Sequence, residues 1–266
     1  MASEFVEAAA EAAHKVGELL LTMLPEARSR KEIRTKRNPA DLVTRADRMS
    51  EDLIVGMLRE RFPDHGILAE EGSQHPGAEY RWIIDPMDGT TNFAHGLPLF
   101  CVSIGLEHRG QMVAGVVYHP PLDELFCAER GTGAFLRRAG TAQRIYVSRI
   151  DRLVQAVVAT GLPYEIRDTG ANIDNIGTLC RTAIEVRILG AAALHLAYVA
   201  AGRIEAFWEP ALNPWDLAAG SLLVEEAGGR ISHMSGAPFR VDCRDVLATN
   251  GRVHAEMVKL LRSSPR

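Results

Sequence analysis

The chain has 266 residues, 47% of them hydrophobic, and its 30 Lys+Arg against 34 Asp+Glu leave a net charge of −4. That length is enough for a sizeable core, and a balance so close to neutral implies neither a nucleic-acid partner nor a membrane surface. The start of the chain lacks a basic leader, carries Glu4, Glu7 and Glu11, and has Leu19–Leu21 as its longest apolar run, too short for a signal core or a membrane span. Cys101, Cys127, Cys180 and Cys243 are widely spaced, form no C-x-x-C pair and sit among apolar neighbours. They read as small core residues in a reducing cytoplasm.

In chain order, Ser3 to Leu24 predicts an alanine-rich helix ending before Pro25. A basic loop follows with Arg28, Arg30, Lys31, Arg34, Lys36 and Arg37, which reads as solvated surface that also attracts anions. Thr44 and Asp47 fit a capping box that opens a second helix, with Leu53, Ile54, Met57 and Leu58 at helical spacing up to Phe62 and Pro63. Capping by itself accounts for Asp47, and it is compatible with a first-turn side chain that faces a site.

Gly66–Gly72 reads GILAEEG, a short apolar run ending in Glu70 and Glu71. Adjacent side chains on an extended chain face opposite ways, so one of the two joins a shared site while the other faces solvent or a supporting position. Arg81–Phe93 reads RWIIDPMDGTTNF. Trp82, Ile83 and Ile84 predict a buried strand that delivers Asp85 to its carboxyl end and is stopped by Pro86. Asp88 and Gly89 then form a turn signal that folds the two aspartates towards one point. Two carboxylates about 4 to 5 Å apart at an effective dielectric of about 20 repel by roughly 3 to 4 kcal/mol. Such a pair protonates, splays apart or holds a hard divalent cation. Gly89, Thr90 and Thr91 offer backbone N–H groups and hydroxyls as a seat for an anion bridged by that cation. Taken alone, the same segment also reads as an aspartate-rich turn with a helix cap.

From Val102 to Leu136 the runs VSIGLEH, MVAGVVY, ELFCAE and AFL predict an antiparallel meander. Beyond about residue 150, strands such as VVAT, EVRIL and IEAFW alternate with helical stretches such as AAALHLAYVAAG and LAAGSLLVEEAG, the pattern of an α/β half. His195, between Leu194 and Leu196, reads as a packed residue rather than a ligand. Asp216 stands at a helix start after Pro214 and Trp215, where an N-cap is the structural alternative to a site role. Glu209 ends an apolar run as a carboxylate that accepts hydrogen bonds from sugar hydroxyls if it is buried, or as a surface residue before Pro210 if it is not. No long linker or repeat is present, which predicts two interlocked subdomains, 1–149 and 150–266, with the site at their junction.

The AEEG, WIIDPMDGTTNF and WD-plus-AAG segments, in this order and at these separations, with KRNPADLVTRAD before them, resemble the inositol monophosphatase family of magnesium-dependent, lithium-sensitive phosphatases. The resemblance covers nearly the whole chain. It implies an αβαβα layered sandwich of α/β (α+β) class, usually dimeric. It makes Glu70, Asp85 and the Met87 carbonyl ligands of a first Mg2+, and Asp85, Asp88 and Asp216 those of a second, with a weaker third ion leaning on Glu70. It makes Asp47 and Thr90 the pair that activates the attacking water, Lys36 the basic residue of a mobile loop, and Gly89 and Thr90 the phosphate-binding N–H donors. Ala191, Ala192, Glu209 and Asp88 fall on the substrate side. Oxygen-only ligands and the absence of a zinc-spaced Cys or His cluster suit magnesium.

Two rivals follow from the same residues. The DGT triplet also occurs in haloacid dehalogenase-like phosphatases, but the nucleophile's place, two residues before the second aspartate, is Pro86 here, and the first aspartate lies three residues before the second, so no phosphoaspartate forms there and direct water attack is the better reading. Within the family, histidinol phosphate, fructose 1,6-bisphosphate and 3′-phosphoadenosine 5′-phosphate are the alternative substrates to inositol 1-phosphate, and Thr160–Tyr164 does not show the family's inositol-contacting serine. Some bacterial relatives act with the transcription machinery on ribosomal RNA operons, and the basic loop is the one feature here that fits such a role.

Overall fold

The computed structural model describes residues 3–27, 34–35, 42–43, 45–77, 79–163, 170 and 172–263. Lys36 and Thr44, and with them most of the basic loop, lie outside these residues. The first helix, α1 (Glu4–Ala27), buries Val6, Ala9, Ala13, Val16 and Leu20 at intervals of three or four, with Glu7, Glu11 and Glu18 on the wet face. α2 (Arg45–Arg61) buries Asp47, Ile54 and Leu58. Both helices cover one face of an eight-stranded sheet ordered β10-β9-β8-β7-β6-β5-β3-β4.

That sheet holds β3 (Gly66–Ala69), β4 (Gln74–His75), β5 (Tyr80–Asp88), β6 (Cys101–His108), β7 (Gln111–His119), β8 (Glu124–Glu129), β9 (Gly133–Arg138) and β10 (Thr141–Ile145). The run from β5 to β10 is the expected meander, whereas β3 pairs with β5 in parallel, Ala69 against Ile84. Alternation sorts the strands' side chains. Trp82, Ile84, Val102 and Ile104 meet α1 and α2, while Ile83, Cys101, Val117 and Phe126 face the middle of the molecule.

The middle layer is α5 (Ala192–Ala200) and α6 (Pro214–Glu226), buried on all sides through Leu194, Leu196, Val199, Leu217, Leu222 and Leu223. Beyond it lies a five-stranded sheet, β12-β11-β13-β15-β14, built from β11 (Val157–Thr160), β12 (Glu185–Arg187), β13 (Ala206–Pro210), β14 (Arg230–Ser232) and β15 (Asp245–Thr249). Its outer face carries α4 (Ile173–Cys180) and α7 (His254–Ser263), which pack Leu179 and Met257 on Val158, Trp208 and Leu247. The layers run αβαβα. The short helix α3 (Thr90–Ala94) and the two-residue pair β1 (Arg34–Thr35) and β2 (Leu42–Val43) complete the set.

Four local expectations need correction. α1 runs through Pro25 to Ala27, because in the last turn a proline forfeits one hydrogen bond, to the carbonyl of Leu21, whose side chain is half exposed. Pro86 does not stop β5; it sits inside a bulge, where a missing N–H costs no ladder bond. Cys180 is exposed at the end of α4 and is no core residue, unlike the three buried cysteines. Asp216 is not the N-cap of α6 but its third residue, with Asn213 as the cap.

Candidate active site

The bulge in β5 determines where the aspartates point. Asp85 pairs with Ser103 and Asp88 with Cys101, so three steps on β5 answer two on β6. Side chains three apart on a regular strand face opposite ways, and the extra residue returns Asp88 to the side that Asp85 occupies. Ile83 lies in the cluster on that side, whereas Met87, between the aspartates, is buried in the opposite cluster under α1 and α2.

Both carboxylates are held by hydrogen bonds, local for Asp85 and long-range for Asp88. Asp85 Oδ1 accepts the Met87 N–H at 3.0 Å. Asp88 accepts the first N–H groups of α5, from Ala192 at 3.1 Å and Ala193 at 2.7 Å, and the Cys101 thiol at 3.5 Å. The N-terminus of a helix is suited to a negative charge, so the start of α5 receives the Asp88 carboxylate.

Glu70 enters from β3. Its N–H donates to the Ile84 carbonyl at 3.2 Å, which sets the turn beside the end of β5. Glu51 of α2, buried and not singled out from sequence, clamps that turn by accepting the N–H groups of Glu71 at 2.6 Å and Ser73 at 2.9 Å. Asp216 arrives on the first turn of α6 and accepts the Asn213 N–H at 2.7 Å, one half of a capping box. Ser103, opposite Asp85, fastens this helix start by donating to the Trp215 carbonyl at 3.3 Å.

The electrostatics show these groups to be neighbours. Burial pushes Asp85 well above the usual carboxylate range, and the charges of Glu70, Asp88 and Asp216 push it further. Asp216 is raised by burial and then by Glu70 and Asp88. Asp88 is pushed up to about 7 by burial, against the pull of its Ala193, Ala192 and Cys101 bonds. Glu209, 9% exposed in β13, is raised by burial and by Asp216 and Asp88. Acids that burial and mutual repulsion hold up in this way are neutralised by protons or by a cation.

Hard carboxylate oxygens from the turn after β3, from β5 and from α6 suit a hard divalent ion. Among the described residues no three His, Cys, Asp or Glu side chains stand as a preassembled ligand group.

On the rim of this pocket, the Thr90 hydroxyl lies 3.3 Å from Asp47 Oδ1 and 3.2 Å from the Met87 carbonyl. Asp47, in the first turn of α2, is 2% exposed. Gly89 holds a φ of 98°, and a Cβ there would lie 2.7 Å from the Leu99 carbonyl oxygen. Asn92, also missed from sequence, donates to the Leu99 carbonyl at 2.7 Å and the Leu189 carbonyl at 2.6 Å, tying α3 to the loop before α5. His195 is packed as expected: it stacks on Phe207 with ring centroids 4.7 Å apart, accepts the Leu189 N–H at 3.2 Å, and burial pushes its pKa down to about 3.

The model of the inositol monophosphatase family matches residues 1–266. An inositol-1-monophosphatase of Mesorhizobium japonicum is 45% identical over 85% of this chain and 85% of its own length. The Nus factor SuhB of Pseudomonas aeruginosa is 42% identical, over 81% of this chain and 80% of its own. The crystal structure of the extragenic suppressor protein suhB from Bartonella henselae superposes with a TM-score of 0.91 at 39% identity, covering 98% of this chain and 99% of that one. The layered fold, the acidic pocket and these likenesses define the class, a hydrolytic phosphatase. The chain belongs to the inositol monophosphatase family.

Proposed function

We propose that this chain is a magnesium-dependent phosphomonoesterase that hydrolyses inositol 1-phosphate to myo-inositol and phosphate by direct attack of water. The observation that carries the reading is the approach of Glu70, Asp85, Asp88 and Asp216, from the turn after β3, from β5 and from the start of α6, to one another, so that neighbouring charges add to burial in raising Asp85, Asp88 and Asp216. Glu70, Asp85 and the Met87 carbonyl would hold one ion, Asp85, Asp88 and Asp216 a second, and Glu70 a weaker third. When bound, magnesium ions supply the positive charge that lowers the pKa of water and stabilises the leaving oxygen.

The chain's own groups do the rest. Asp47 accepts the Thr90 hydroxyl, and that pair takes and orients the proton of the attacking water. Gly89 and Thr90 hold the phosphate through backbone N–H groups at the head of α3, and Lys36, outside the described residues, would balance its charge from the loop. Glu209 accepts hydroxyls of the substrate, with the backbone around Ala191 and Ala192 closing that side. Subdomains 1–149 and 150–266 act as one unit across this pocket. In keeping with the family resemblance, the enzyme is a lithium-sensitive cytoplasmic homodimer; among the described residues no helix is long and apolar enough to cross a membrane.

Phosphate release from inositol 1-phosphate, measured with magnesium and with chelator, tests the reading. Asp85→Asn and Asp216→Asn are expected to lower kcat/KM at least about a thousandfold, or about 4 kcal/mol. Equal activity in chelator would sink it. Histidinol phosphate, fructose 1,6-bisphosphate and 3′-phosphoadenosine 5′-phosphate belong in the same screen as the rival substrates. The name of the Pseudomonas relative favours a second reading, a role with the transcription machinery, which predicts that a metal-site variant rescues a deletion strain as well as wild type does.

A further inference from the structure

The strand ends that flank Glu209 carry a buried network that neither the acidic pocket nor the Asp47–Thr90 pair requires. β11 and β13 run parallel with Thr160 level with Trp208, so the next residues, Gly161 and Glu209, lie side by side. A Cβ on Gly161 would sit 2.1 Å from both carboxylate oxygens of Glu209. Gly161 is not among the residues at positive φ, so its backbone does not demand glycine. The carboxylate does.

Asn172 locks the same two strand ends from the other side. It stands at the N-cap position of α4 with a φ of 73°, yet its side chain makes no capping bond to that helix. Its Nδ2 donates instead to Thr160 Oγ1 at 2.8 Å and to the Gly161 carbonyl at 2.9 Å, while Oδ1 accepts the Trp208 indole N–H at 2.7 Å. Thr160 in turn donates to the Trp208 carbonyl at 2.5 Å. One buried carboxamide thus fastens the residue beneath the Glu209 carboxylate and the residue before Glu209 in the chain, and only an amide supplies two donors and an acceptor there.

We propose that Gly161 and Asn172 are positioning residues that seat the Glu209 carboxylate as the acceptor for substrate hydroxyls, so that preference for polyol phosphates depends on this strand-end lock. The inference rests on the reading of Glu209 given under Proposed function. A carboxylate in a rigid seat makes charge-assisted bonds to a diol without having to be ordered first, whereas a displaced one must reorganise on binding.

The test compares inositol 1-phosphate with 4-nitrophenyl phosphate, whose leaving group carries no further hydroxyl, at saturating magnesium. kcat and KM are measured for wild type, Glu209→Gln, Gly161→Ala, Asn172→Asp and Asn172→Ala. In every variant the ratio of kcat/KM for the polyol ester to that for the aryl ester is expected to fall about tenfold, mainly through KM for the polyol ester. A Glu209→Gln enzyme with lowered ratio beside Gly161→Ala and Asn172→Asp enzymes at the wild-type ratio overturns the positioning role alone. Proportional loss on both substrates also overturns it, since a merely structural lock would act that way. A wild-type ratio in Glu209→Gln removes the Glu209 reading and this inference with it. Should the Asn172 variants fail to fold, Gly161→Ala, which adds one methyl beside the carboxylate, decides by itself.

Discussion

At the scale of single residues, the pocket is built from groups that are strained or charged against their surroundings and held there by neighbours. Gly89 is the sharpest case. Its φ of 98° lies where side chains are rarely found, and the Leu99 carbonyl fills the space a Cβ would take. Gly89→Ala is expected to destabilise the protein by about 1 to 3 kcal/mol in denaturant titrations and to lower kcat/KM about tenfold or more, because the phosphate-binding turn must shift. An alanine enzyme with wild-type stability and turnover would show that the turn does not depend on this conformation.

At the scale of elements, two glycines let the helix bearing Asp216 approach the sheet. Gly105 and Gly115 pair directly across β6 and β7. Added Cβ atoms would lie 2.8 Å from the Ala218 side chain and 2.8 Å from the Ala219 carbonyl oxygen of α6 respectively. That flat patch seats α6 close to β6, where Ser103 can reach Trp215. Gly115→Ala is expected to cost about 1 to 3 kcal/mol through overpacking, seen as a drop of about 3 to 10 °C in Tm. It should also raise the magnesium concentration needed for half-maximal activity, since the helix that moves begins with Asp216. A lower Tm with unaltered magnesium dependence would mean that the shift stops short of the pocket.

At the scale of the whole molecule, the acidic pocket couples stability to pH and to magnesium. Asp85, Asp88 and Asp216 hold protons more tightly folded than unfolded, so their contribution to stability is complete below the ordinary aspartate value of 3.8 and is lost as pH rises through the folded values, about 7 for Asp88. The buried His195 and His254, pushed down to about 3 and about 4, act the other way, favouring the fold as pH rises towards the ordinary histidine value of 6.5. Magnesium replaces only the carboxyl protons. The gain in Tm on adding magnesium is therefore expected to grow from pH 5 to pH 8. A gain that is flat over that window in calorimetry would place the ion away from these carboxylates.

Periodicity and turn chemistry carried much of this architecture in readable form. The apolar alternation of β5 to β9 and the helical spacing of α1, α2 and α5 depend on neighbours within a few residues, which is the range over which local sequence acts. The order of AEEG, DPMDGTTNF and PWD named the acids and, through the family resemblance, their company. What the chain alone did not reveal lies across long separations. The bulge that turns Asp88 to the side of Asp85 needs the β6 register, the Glu51 clamp joins residues 20 and 22 apart, and the Asn172 lock reaches from α4 to two strands. Pro25 and Pro86 read as stops because their cost is local, and only the packed molecule shows that the lost hydrogen bonds were dispensable there. A local pattern states which residues are able to meet; the bonds that hold a carboxylate in place come from segments that folding alone brings together.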